Sequence, residues 1–114
     1  MTSPLQDSQD TSPAEIAAHA VIAHKRIAQR IYKTPLLPSK TIGAALVCDL
    51  FFKADNFQRT GSFKIRGASS KMSVMTGSEK LITASSGNHG IACASAAQTF
   101  NRDMTVVLPE TVAQ

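Results

Sequence analysis

The sequence has no tryptophan, one tyrosine and only 5% aromatic residues. A surface that binds nucleic acid wants a basic face set with aromatic platforms. Here the twelve Lys and Arg residues are spread along the chain, densest at Lys25, Arg26, Arg30 and Lys33. The net charge of +4 therefore reads as a basic surface suited to small anions, not as a nucleic-acid footprint. Glycine is sparse too: six residues, never in a run, with neither G-x-G-x-x-G nor a phosphate-binding lysine-serine/threonine loop, which argues against a nucleotide-binding module. The two cysteines, Cys48 and Cys93, lie far apart and form neither a metal-ligand spacing nor a disulfide framework, so both read as buried reduced thiols. No apolar run is long enough to span a bilayer, and the start at Met1-Thr2-Ser3-Pro4 lacks a basic-then-apolar signal pattern. The expectation is a cytoplasmic protein.

What is present is ordinary for a globular chain: 43% hydrophobic and 18% charged residues over 114 positions, enough for one small domain with a core. Residues 1–11 are polar and read as a mobile leader. Ser12-Pro13-Ala14-Glu15 forms a capping box, and Ile16, Ala20, Ala23, Ile27 and Ile31 then recur at helical spacing, predicting a helix to about Ile31. His19 and His24, five apart, do not share a ligand-forming face. The two prolines of Thr34-Pro35-Leu36-Leu37-Pro38 favour an extended edge segment, and Leu46 to Ala54, rich in apolar and aromatic residues, reads as a strand. A helix over 62–76 ends at Gly77-Ser78, with Ala68, Met72 and Met75 as its buried stripe. Leu81–Ala84 is a short strand, Ser85 to Gly90 a turn opening a helix to about Phe100, and Met104 to Pro109 another strand. Strand, helix, strand, helix, strand is the order of an α/β fold with a parallel sheet.

Chemistry concentrates in Gln58-Arg59-Thr60-Gly61-Ser62-Phe63-Lys64-Ile65-Arg66-Gly67-Ala68. Thr60 or Ser62 is placed to cap a helix, which puts Lys64 in its first turn. The positive end of the helix dipole and the nearby Arg66 both disfavour an ammonium there, pushing toward the neutral amine, a nucleophile for aldehydes. Phe63 offers a flat apolar surface for an aromatic ring. The second site is Ser85-Ser86-Gly87-Asn88-His89-Gly90. Ligands of parallel sheets sit outside the carboxyl ends of the strands, and this turn is in that place. Gly87 and Gly90 admit close approach of a ligand, and free N–H groups at the helix start can hold a carboxylate.

These two blocks, in this order and spacing, resemble the fold-type II pyridoxal-phosphate enzymes, and within them the serine/threonine dehydratase (threonine ammonia-lyase) and serine racemase branch. Thr34-Pro35-Leu36 and the pattern Lys53, Asn56, Gln58 add to the likeness, with Asp55 where glutamate is commoner. The resemblance implies that Lys64 forms the Schiff base with the cofactor aldehyde. It implies that Phe63 and Asn88 contact the cofactor, Asn88 at the ring hydroxyl, and that Ser85, Ser86, Gly87, Asn88 and His89 hold the substrate carboxylate. Ser86 stands where serine racemases carry the acid/base group opposite the lysine, His89 reads as loop-shaping, and Ile91 departs from the usual glutamine.

The implied fold is an incomplete three-layer parallel-sheet domain of the tryptophan synthase β-like type. Residues 12–52 correspond to a large-domain part and 53–114 to a partial small α/β domain. The implied activity is elimination of the β-hydroxyl of serine or threonine to a 2-oxo acid and ammonia, in an enzyme that is a homodimer or higher oligomer at full length. Racemisation of serine stays open, as does a non-catalytic remnant that docks with a full-length homologue. The family's glycine-rich phosphate loop and the residue meeting the ring nitrogen have no counterpart here, so the likeness covers roughly the first third of the family pattern.

Overall fold

The computed structural model describes residues 11–110. Its first element, helix α1 (Pro13–Ile27), begins at the capping box: Glu15 N–H donates to Ser12 Oγ at 3.3 Å and Ser12 N–H to Glu15 Oε2 at 2.8 Å. Pro13 takes the first helical position, where a missing N–H costs nothing. The helix stops at Ile27, one turn short of the expected Ile31, and Arg30 N–H closes the turn onto Ile27 O. Of the apolar stripe, Ile27 and Ile31 are buried whereas Ile16 is 58% exposed. Only the carboxyl end of α1 finds a partner, helix α3 (Lys64–Met72), where Arg26 donates to Ser70 Oγ and Ser73 Oγ, each at 3.2 Å.

The prolines do leave an edge segment: β1 (Leu36–Pro38) pairs antiparallel with β2 (Phe51–Lys53), Leu37 opposite Phe52. Of the strand expected over Leu46–Ala54 only Phe51–Lys53 forms, as β2, and Leu46 is the last residue of a helix that sequence reasoning did not anticipate. Lys40–Leu46 forms helix α2, Val47 ends it in the left-handed region at φ 53°, and Cys48 follows in the open. A short apolar run is ambiguous between strand and helix, and Ala44-Ala45-Leu46 tips it to helix because these residues lose little freedom there. Gly43 is required at the turn of this unit, since a Cβ would lie 2.7 Å from Cys48 O. The thiol expected to be buried at Cys48 is therefore exposed.

Beyond α3 come β3 (Leu81–Ala84), α4 (Asn88–Thr99) and β4 (Met104–Val107). β3 and β4 are parallel, in register from Leu81↔Met104 to Ala84↔Val107, with α4 as the crossover. The core joins Ile27, Ile65, Ala68 and Met72 to Ala92, Cys93, Ala96 and Ala97. The small residues of α4 let α3 approach closely, so the two N-terminal helix ends that carry the candidate residues belong to one packed pair. α3 ends at Met72, before Gly77. Ser73 Oγ instead donates to Ser70 O at 2.7 Å, the local competition with helix that serine offers, and Met75 is left half-buried. The result is an α/β arrangement with a partial parallel sheet. β2 does not join it, so the described residues hold two two-stranded sheets. No helix among them is long and apolar enough to cross a membrane.

Candidate active site

Lys64 is the first residue of α3 and is exposed. The chain reaches it through Gly61, whose φ of 72° is one that side-chain-bearing residues rarely adopt. Capping differs from expectation: Phe63 occupies the cap position, in helical geometry, and neither Thr60 nor Ser62 bonds the first turn. Both hydroxyl oxygens are instead buried without a hydrogen-bond partner. An unmet buried hydroxyl costs about 1–3 kcal/mol, so two of them just ahead of one lysine mark a place short of polar partners. The Lys64 ammonium lies 4.9 Å from the centroid of the exposed Phe63 ring.

Arg66 does not stand loose beside Lys64. Its Nε and Nη2 donate to Asp55 Oδ2 and Oδ1 at 2.7 and 2.9 Å, a two-pronged pair that answers its charge. The same Oδ1 accepts Thr34 Oγ1 at 2.5 Å, and Lys53 Nζ donates to Thr34 O at 2.5 Å. The Asp55 carboxyl is held down to about 2 from an ordinary 3.8, first by the Arg66 hydrogen bonds, against the opposing pull of burial. Gln58 completes the frame, its side-chain amide pairing with both backbone groups of Tyr32, at 3.0 and 2.7 Å. The Lys53, Asp55 and Gln58 pattern is thus a set of struts from the loop after β2 to residues 32–34. Sequence reasoning missed Tyr32 and Thr34 as the other half, because a backbone amide leaves no signature and Thr34 showed only as part of a T-P-L run.

The second block lies at the carboxyl end of β3, where Ser85 N–H still donates to Val107 O. Ser85 Oγ accepts from Gly87 N–H at 3.4 Å and Gly90 N–H at 3.0 Å, taking up part of the donor set at the start of α4. Helical geometry leaves the N–H groups of Asn88 and His89 without an intrahelical acceptor. The two glycines divide their work. A Cβ on Gly90 would meet Ser85 O at 2.8 Å and Val106 Cγ1 at 3.2 Å, so its smallness serves the packing of loop on sheet, whereas nothing lies within 4 Å of the Cβ position on Gly87. Ser86 and Gly87 are exposed and, with Ser85, Ile91 and Val106, line a concavity of about 280 Å³. The His89 ring sits 3.5 Å from Cys93 Sγ, whose thiol pKa is raised by burial. Phe63 and Lys64 are together at one helix start, and Ser85 to His89 at the start of the helix packed against it. No hydrogen bond or ion pair among the described residues joins Lys64 to Ser86 or Asn88. No group of three metal-ligating side chains occurs among them.

A primary amine, an apolar ring beside it, two unmet hydroxyls and unpaired helix-start N–H groups form a donor set that fits an aldehyde-bearing, anionic aromatic compound with a carboxylate substrate. A family profile described as pyridoxal-phosphate dependent enzyme matches residues 27–114. The chain is 43% identical over 91 residues to the L-threo-3-hydroxyaspartate ammonia-lyase of Saccharomyces cerevisiae, covering 77% of this chain and 28% of that protein. Over the same shares it is 43% identical to the serine racemase of Dictyostelium discoideum and 40% to the catabolic L-threonine dehydratase of Escherichia coli. The crystal structure of the Dictyostelium racemase superposes with a TM-score of 0.78 at 39% identity, covering 85% of this chain and 33% of that one. The chain thus spans under a third of the curated relatives it matches, the part that carries Lys64 and the asparagine turn. It belongs to the pyridoxal-phosphate-dependent enzyme family, of the fold that serine racemase and threonine dehydratase share.

Proposed function

We propose that this chain is the lysine-bearing portion of a pyridoxal-phosphate-dependent ammonia-lyase acting on serine or threonine. Residues 12–52 would belong to a large domain and 53–114 to a small one. The observation that carries the reading is the start of α3, where Lys64 follows two buried, unmet hydroxyls and stands beside an exposed aromatic ring.

Pyridoxal phosphate, when bound, supplies an electron sink for negative charge on the substrate α-carbon. Lys64 would hold the cofactor through its amine, and the free amine would receive the substrate α-proton at Nζ. Phe63 would offer its exposed apolar face to the cofactor ring. The N–H groups around Gly87, Asn88 and His89, with the hydroxyls of Ser85 and Ser86, would take the substrate carboxylate, and the Asn88 side chain would help hold the cofactor. Loss of the β-hydroxyl as water and hydrolysis of the product then yield a 2-oxo acid and ammonia. Arg66 shapes the site, since its charge is already committed to Asp55. The exposed hydroxyl of Ser86 supports serine racemisation as the second reading, because a proton returned from the face opposite Lys64 inverts the α-carbon.

The test is borohydride trapping of the chain with pyridoxal phosphate, followed by peptide mass analysis. Lys64 is expected to carry most of the reduced adduct, and Lys64→Ala to lose it. A label spread evenly over the other lysines would overturn the assignment. In a preparation that turns over serine, a 2-oxo acid product supports elimination and D-serine supports racemisation.

A further inference from the structure

Lys64 sits exposed in the first turn of α3, and amine chemistry at a fixed carbon needs the Nζ held within a fraction of an ångström. Nothing in the sequence of α3 supplies that rigidity. The helix has nine residues and no side-chain cap, and helices this short are marginal alone. The first turn is held from outside instead. Arg66, two residues after Lys64, is gripped at both prongs by Asp55, which opens the short turn Asp55–Phe57. Asp55 is itself fixed by Thr34 Oγ1, while Ala54 N–H donates to Pro35 O and the Gln58 amide clasps Tyr32 on both sides. Thr34 and Gln58 are buried, at 5% and 4% exposure, so these links are shielded from water. A planar guanidinium seated in a carboxylate fixes direction as well as distance, which an exposed lysine pair would not.

We propose that Asp55, held by Thr34 and gripping Arg66, is a positioning residue that orients the first turn of α3 and thereby sets where the Lys64 amine points. The inference rests on Lys64 being the cofactor anchor, and assigns Asp55, Thr34 and Arg66 a part in that chemistry without contact with the reacting atoms.

The test uses the whole chain and site-resolved borohydride trapping with pyridoxal phosphate, reading the Lys64 adduct against Lys25, Lys40 and Lys80 on the same molecules. All variants are compared under conditions where circular dichroism shows equal helix content, so loss of fold alone does not move the ratio. Asp55→Asn is expected to lower the Lys64 ratio about tenfold, and Asp55→Glu to restore it to within about twofold, because the longer carboxylate can still grip Arg66. Thr34→Val, which removes one link at nearly constant shape and no charge, is expected to lower the ratio about threefold, and serves if Asp55→Asn does not fold. A Lys64 ratio unchanged within about twofold in Asp55→Asn, or in Thr34→Val where that variant stands in, overturns the positioning role while leaving Lys64 as the anchor. An unaltered chain with no preference for Lys64 overturns both.

Discussion

A carboxylate whose hydrogen-bond partners, Thr34 and Arg66, sit in two distant segments is the residue on which this site is most sensitive to solution conditions. Asp55 has its folded pKa held at about 2 against an ordinary 3.8, so the folded state binds its proton less readily than the unfolded chain does. Its contribution to stability is therefore fully present above about pH 4 to 5 and is lost as pH falls through 3.8 toward 2. After allowance for water at the Arg66 edge of the pair, the amount is on the order of 1 kcal/mol. Urea unfolding of the unaltered chain at pH 6 and at pH 2.5 should show a loss on acidification that Asp55→Asn reduces by about that amount, by virtue of a lower stability already at pH 6. An equal acid loss in the variant would mean that other carboxylates carry the effect. Glu15, drawn down through its capping bonds to Ser12, is exposed and carries a pH dependence of the same sign.

Among the elements, those whose identity depends on their own periodicity were legible and those decided by a distant partner were not. The α1 capping box and β3 at Leu81–Ala84 follow from local pattern and emerge where the sequence puts them, while α4 opens at Asn88, inside the turn expected to run to Gly90. Helix α2 was hidden because Leu46 and Val47 lead into an apolar run that is equally good strand, while the helix preference of Ala44, Ala45 and Leu46 decides it. The expected caps at Thr60 and Ser62 failed for a related reason: a hydroxyl near a helix start has several possible partners, and Phe63 entering the helix early moved both out of reach. At α4 the cap is not the residue next to the helix. Ser85, two before the cap position, supplies the oxygen for the buried Gly90 N–H. Ser85→Ala should destabilise the chain by about 1 kcal/mol, in the range of a lost cap. It should also lower hydrogen-exchange protection at the Gly90 amide several-fold, with little change at Ala96. Unchanged protection at Gly90 would show that the loop holds the helix start without that bond.

For the molecule as a whole, the fold class and the placing of both candidate blocks at helix starts could be read from the sequence, whereas the split into two separate sheets could not, since among the described residues β1 and β2 pair with each other and leave β3 with β4 alone. Both sheets keep apolar residues on the outside. Leu36, Leu37, Phe51 and Phe52 are exposed on the ribbon, and on the parallel pair the alternation turns Leu81, Thr83, Met104 and Val106 inward and Ile82 and Val107 outward. Among the described residues the parallel pair has an apolar outer face and no further strand at either edge, which is a template for association, and burying the roughly 100 Å² of an isoleucine side chain gives about 2–3 kcal/mol. Ile82, 74% exposed at the middle of β3, is the residue at which that tendency can be tested with least harm to the fold. Ile82→Lys places a charge on the outward face and removes no inward contact. It should shift the chain toward monomer in sedimentation velocity at micromolar concentration, while leaving the helical circular dichroism signal and the Lys64 trapping ratio unchanged. If association persists at the same strength, the β1–β2 ribbon with its exposed Phe51 and Phe52 is the sticking face, and the parallel pair has no part in it.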